Sequence, residues 1–125
     1  MGNKMRVLII DDDPDVLDFL KAFFVSINHE VVTSLTAQDG MKSLVSVTPD
    51  LVLLDIMMPQ KNGLEMLREI KALDKDVPVV MITAYKDAER VIEAFRLGAK
   101  DCLLKPFNLD YIKNTVIPRV KIRPK

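Results

Sequence analysis

Val7-Leu8-Ile9-Ile10-Asp11-Asp12-Asp13-Pro14 is the stretch whose reading decides the fold. Its four aliphatic residues run without alternation, and three of them are β-branched. That pattern suits a strand buried on both faces, as in a parallel sheet. Three acids then stop the run. Asp13-Pro14 opens a helix, with Asp as the N-cap and Pro in the first turn.

The same grammar recurs along the chain. Leu51-Val52-Leu53-Leu54, Val79-Val80-Met81-Ile82 and the shorter Cys102-Leu103-Leu104 read as further buried strands, and Glu30-Val31-Val32-Thr33 as an outer one. Helical stripes fill the gaps. Val16, Leu17, Leu20, Phe23, Phe24 and Ile27 recur at three-and-four spacing. Leu64, Leu67, Ile70 and Leu73 form a second stripe behind Asn62-Gly63, and Val91, Ile92 and Phe95 a third, stopped at Gly98. Ala37 to Val47 supplies another helix. Asn108 caps a last one through Tyr111, Ile112 and Val116, which Pro118 is expected to end. Strands alternating with helices imply right-handed crossovers and an open, doubly wound α/β sheet.

Composition bounds what such a domain can do. The chain has 125 residues, enough for one domain with its own core. Hydrophobic residues are 49% and charged residues 29%, a globular profile. Lys plus Arg and Asp plus Glu are both 18, and this zero net charge disfavours nucleic-acid contact by the domain. A lone cysteine, Cys102, forms no internal disulfide and fits a reducing cytoplasm. The start reads as neither a signal peptide nor a myristoylation site, since Arg6 stands where that motif wants Ser or Thr. No apolar run reaches the ~20 residues of a membrane span. The expectation is a soluble, cytoplasmic domain with no membrane partner.

Open sheets of this kind bind ligands at the carboxyl ends of their strands. The first run ends in Asp11-Asp12-Asp13, the third strand in Asp55, the fourth in Thr83, and the fifth in Lys105-Pro106. Parallel strands would bring these residues to one edge. Carboxylates a few Å apart repel, and one lysine cannot neutralise three of them. A hard divalent cation can, and oxygen ligands with retained waters suit Mg2+. A carboxylate can also act as a nucleophile, with the lysine and the hydroxyl stabilising charge on a transferring phosphoryl group.

From about Met5 to about Val116 the sequence resembles the receiver domain of a two-component response regulator. The motifs are Ile9-Ile10-Asp11-Asp12-Asp13, Leu53-Leu54-Asp55-Ile56-Met57-Met58-Pro59 with Asn62-Gly63, Ile82-Thr83-Ala84, and Leu104-Lys105-Pro106-Phe107. The resemblance implies a flavodoxin-like, doubly wound five-stranded parallel sheet in strand order 2-1-3-4-5, with helices on both faces. It implies that Asp55 accepts phosphate from a sensor histidine kinase or phosphotransfer protein. Asp12 would bind Mg2+ directly, Asp11 largely through water, with Asp55 and the Met57 backbone carbonyl completing the metal ligands. Lys105, whose bond to Pro106 is often cis in the family, would pair with the phosphoryl group, and Thr83 would swing toward it. Many receivers carry an aromatic residue three positions before the lysine, where this chain has Cys102, so the switch position lacks a ring. Met57 and Tyr85 occupy positions that tend to tune phosphoryl lifetime. Family members often signal through the face of helix 4, strand 5 and helix 5, here near Arg90, Glu93, Lys100, Asp101 and Tyr111, and whether that face also makes a homodimer is left open by the sequence.

Other readings compete. A haloacid-dehalogenase-like phosphatase would use Asp11 as nucleophile and Asp13 as general acid. It lacks a second acidic pair after the lysine, and length for a cap over the substrate. A flavodoxin-like nucleotide binder would need a phosphate-cradling loop where Asp11-Asp12-Asp13 stands. Asp13 is better read as a helix cap than a ligand, Cys102 as an inert core thiol, and the lone His29 as a turn residue. Phe107 is expected to pack beneath the last loop. The division expected is a receiver over residues 1–117 and a basic tail, or the start of a linker to an output domain, over 118–125. No dedicated enzyme activity is expected beyond the domain's own phosphorylation and dephosphorylation.

Overall fold

A computed structural model describes residues 4–84 and 88–124. Tyr85, one of the expected tuning positions, lies outside the described residues. Five strands alternate with helices: β1 (Arg6–Ile10), α1 (Pro14–Ser26), β2 (Glu30–Ser34), α2 (Ala37–Val47), β3 (Leu51–Asp55), α3 (Gly63–Leu73), β4 (Val79–Thr83), α4 (Ala88–Arg96) and β5 (Asp101–Leu104). The last helix, α5, begins as an α-turn at Leu109–Tyr111, widens to a π-turn over Ile112–Val116, and closes as a 3-10 turn, Ile117–Arg119. All pairings are parallel, and the strand order is β2-β1-β3-β4-β5.

The unbroken apolar runs are explained by two cores. Leu8, Ile10, Val52, Leu54, Val79 and Met81 face α2, α3 and α4, where they meet Leu44, Met66, Leu67, Ile70 and Ala94. Val7, Ile9, Leu51, Leu53, Val80 and Ile82 face the other way, onto Leu17, Leu20 and Phe24 of α1 and Ile112 and Val116 of α5. Alternate side chains leave opposite faces of a strand, so a strand buried on both sides must be apolar at every position. Outer strands escape this demand. β2 is only partly buried, as expected, and in β5 only Leu103 is buried.

Capping follows the sequence. The Asp13 carboxylate accepts from Asp15 N–H at 2.9 Å. Asn62 accepts from Leu64 N–H at 2.8 Å, and Asn108 from Tyr111 N–H at 3.0 Å. Thr36 caps α2 by accepting from Asp39 N–H at 3.1 Å. Gly98, at φ +104°, takes the left-handed turn that stops α4.

Three local expectations are corrected. The third apolar stripe does not face the core: Ile92 and Phe95 are about half exposed, at 51% and 47%, and Ala94 is the buried residue of α4. A small residue inward lets this short helix lie close to the sheet. Leu73, the last residue of α3, is exposed, and Met66 fills the core. Pro118 does not end the last helix but sits inside its final 3-10 turn, and the chain becomes extended at Val120. No helix among the described residues is long and apolar enough to cross a membrane.

Candidate functional site: an acidic cleft at the carboxyl edge

Strand register builds the site. Asp55 and Thr83 are the last residues of β3 and β4, while Asp11 and Lys105 each stand one residue past β1 and β5. The backbone ladder runs on past the strands. Asp11 N–H donates to Ser34 O (3.1 Å), Ile56 N–H to Ile82 O (3.0 Å) and Lys105 N–H to Thr83 O (2.9 Å). These bonds fix each functional side chain on rigid backbone, which sets its position more tightly than a loop could.

Asp11, Asp12 and Asp55 each present a carboxylate oxygen within 4.8 Å of the others. Asp11 is fully buried. Its Oδ1 accepts from Asp13 N–H at 2.9 Å and its Oδ2 from Lys105 Nζ at 3.0 Å. Asp12 is exposed, Asp55 is buried, and Thr83 is 2% exposed. Asp55 takes a weak bond from Met57 N–H at 3.3 Å. Burial pushes the Asp55 pKa up to about 7, helped by the Asp11 charge, while Lys105 and the Met57 N–H pull the other way. The cluster therefore holds more negative charge than its own lysine offsets. Three hard oxygen donors around a shared point, one of them open to solvent, fit a hard divalent cation.

Gly63 has a role that the sequence did not reveal beyond its place in the motif. Met57 and Asn62 pair across the turn that follows Asp55, and Gly63 N–H donates to Ile56 O at 2.8 Å. A Cβ on Gly63 would stand 2.2 Å from the Asp55 carbonyl oxygen and 2.7 Å from Ile56 Cα. Both are backbone atoms and cannot swing away. Glycine here lets α3 start directly against the Asp55 strand end.

The remaining expected residues lie around this cleft. The Lys105–Pro106 peptide is cis. Cys102 is half-buried against the α3 and α4 side of the sheet, and burial, then Asp101, pushes its thiol pKa up, which favours the inert form. Phe107 is partly buried and stacks on Phe19 of α1, with ring centroids 6.4 Å apart. His29 does more than turn the chain, because its Nδ1 accepts from Met5 N–H at 3.0 Å.

A parallel sheet in this order, with acids, a threonine and a lysine gathered at its carboxyl edge, is a doubly wound α/β domain with a cleft suited to a hard cation. Residues 7–117 match the family model described as the response regulator receiver domain, and the chain belongs to that family. It is 34% identical over 114 residues to the regulatory protein AtoC of Escherichia coli, covering 91% of this chain and 24% of that protein. It is 36% identical to the probable C4-dicarboxylate response regulator DctR of Bacillus subtilis, covering 89% and 50%. The chain thus spans between a quarter and a half of these relatives. Among solved structures, a CheY-like receiver domain protein from Methanospirillum hungatei superposes with a TM-score of 0.88 at 28% identity, covering 93% of each chain. NtrX of Brucella abortus superposes at 0.85 with 31% identity, over 90% of this chain and 26% of that one. The dehalogenase-like alternative finds no support in these matches.

Proposed function

We propose that Asp55 is the phosphoacceptor of a phosphorylation-activated switch, and that a sensor histidine kinase or phosphotransfer protein is the donor. The observation that carries this reading is the shortage of positive charge around a buried strand-end carboxylate. Asp55 has one weak protein donor and a pKa raised to about 7, so the fold leaves it unsatisfied. Asp11, Asp12, Asp55 and the Met57 carbonyl would hold Mg2+, which supplies positive charge to keep the acids ionised and to neutralise phosphoryl oxygens.

The chain's own groups have separable tasks. An Asp55 oxygen attacks phosphorus, the bond from phosphorus to the donor nitrogen breaks, and the imidazole leaves with its electron pair. The product is an acyl phosphate on Asp55. Lys105, paired with Asp11 and close enough for its charge to act on Asp55, would pair with the phosphoryl group, and Thr83 ends the neighbouring strand. Phosphate biases the domain only by being bound better in one arrangement of these groups. Cys102 offers no ring to follow Thr83, so the readout rests on Thr83 and the β4–α4 side.

Exposed Ile92, Phe95, Leu104 and Tyr111 support a homodimer or output contact through α4, β5 and α5. An output domain following residue 125, as in longer relatives, a cytoplasmic setting, and no nucleic-acid contact by this domain complete the proposal. Incubation with a small phosphodonor and Mg2+ should add one phosphate to the wild type and none to Asp55→Asn. Phosphate retained by Asp55→Asn but lost in Asp11→Asn would overturn the assignment in favour of Asp11 as nucleophile.

A further inference from the structure

The basic tail is not laid out as a solvated end. After the 3-10 turn, Val120 N–H donates to Ile117 O at 3.0 Å and its side chain packs on the α1 and α5 core. Arg123 then meets two separate parts of the chain at the amino edge of the sheet, Pro49-Asp50 and Asp74. Its backbone N–H donates to Asp50 Oδ1 at 2.7 Å, and Asp50 Oδ2 accepts from Arg6 N–H at 2.9 Å. Its guanidinium donates to the Pro49 carbonyl and pairs with Asp74 Oδ2 at 2.7 Å. Asp74 Oδ1 in turn accepts from Val77 N–H at 3.2 Å in the turn after α3. Asp50 is fully buried, while Lys121, Ile122 and Pro124 between and beyond the contacts are exposed.

We propose that Val120–Arg123 is a latched strap of this domain, with Arg123 as the latch. One arginine ties the end of α5 to Pro49-Asp50 just before β3 and to Asp74 after α3, and Asp50 in turn holds the start of β1. The chain beyond residue 123 therefore leaves from the amino edge, opposite the acidic cleft, in a direction set by the latch. The docked arrangement depends on the Arg123–Asp74 ion pair and on the buried Asp50 acceptor, so removing the guanidinium should loosen it. A forked guanidinium suits this role better than an ammonium, because it reaches a carbonyl and a carboxylate together.

Hydrogen exchange on the full chain tests this. In the wild type, the peptide covering residues 120–124 should exchange well below the unstructured rate. Arg123→Ala should speed its exchange by about tenfold or more, Arg123→Lys by less, and Lys121→Ala not at all. None of these residues touches the acidic cleft, and a cooperative urea transition serves as the check that each variant is folded. Unprotected exchange of 120–124 in the wild type, or equal exchange in wild type and a folded Arg123→Ala, would overturn the latch. Neither result depends on which residue accepts phosphate.

Discussion

The two edges of the sheet both bury carboxylates, and Asp50 at one and Asp55 at the other are treated in opposite ways. At the amino edge, Asp50 has each oxygen taken by a backbone N–H, one from Arg6 and one from Arg123. Asp74 is held by Arg123 and by its own turn. At the carboxyl edge, Asp11, Asp12 and Asp55 crowd together around one lysine, and Asp55 is pushed up to about 7. A buried acid matched by its donors is spent on holding the fold. A buried acid left unmatched stores a demand for positive charge.

Substitutions can break or sharpen this contrast. The largest effect is expected at Gly63, where a methyl would strike the backbone of Asp55 and Ile56. Gly63→Ala should cost about 3–4 kcal/mol in urea unfolding and abolish phosphorylation. Unchanged labelling would show that the Asp55 strand end tolerates displacement. Asp50→Ala strands two backbone donors at the amino edge and should cost about 2–4 kcal/mol. Asp55→Asn removes a charge that the fold leaves unmatched, and should instead stabilise the cation-free protein at pH 8 by about 1–3 kcal/mol, each pKa unit being worth about 1.4 kcal/mol. Opposite signs at two buried aspartates are the core of the comparison, and equal signs would dissolve it.

The pH dependence carries the same message. The Asp55 pKa lies above its ordinary 3.8, so between 3.8 and about 7 the folded state binds the proton better. Without cation, its contribution favours folding at low pH and is lost as pH rises through about 7. Subtracting the Asp55→Asn profile from the wild type should isolate that fall, and Mg2+ should flatten it. The smallest effect belongs to His29 at the amino edge. Burial holds its pKa below the ordinary 6.5, and its neutral Nδ1 accepts from Met5 N–H. Its contribution is complete above 6.5 and is lost as pH falls through 6.5 toward the lower folded value. It should amount to less than about 1 kcal/mol, because the ring is only partly buried, and should vanish in His29→Gln.

Much of the molecule was legible along the chain because its signals are local. Unbroken apolar runs give parallel strands, Asp13, Asn62 and Asn108 give caps, and the acids at the ends of β1 and β3 give the cleft. The α4 stripe misled because periodicity reports that a helix has an apolar face without saying where it points. Ile92 and Phe95 face outward, and the core takes Ala94. Gly63 was legible as part of a motif, but its steric need was not, since the clash is with backbone seven and eight residues earlier.

The sequence by itself determined the order of strands and helices, the residue types that end each strand, and their meeting at one edge. Parallel strands of equal direction permit no other gathering. The tertiary structure alone decided which acids are matched. Arg123 lies 73 residues from Asp50, and Lys105 lies 94 from Asp11. No spacing rule links such pairs, because the donors arrive through the packing of separate elements. That packing made Asp50 a structural residue and left Asp55 open to chemistry.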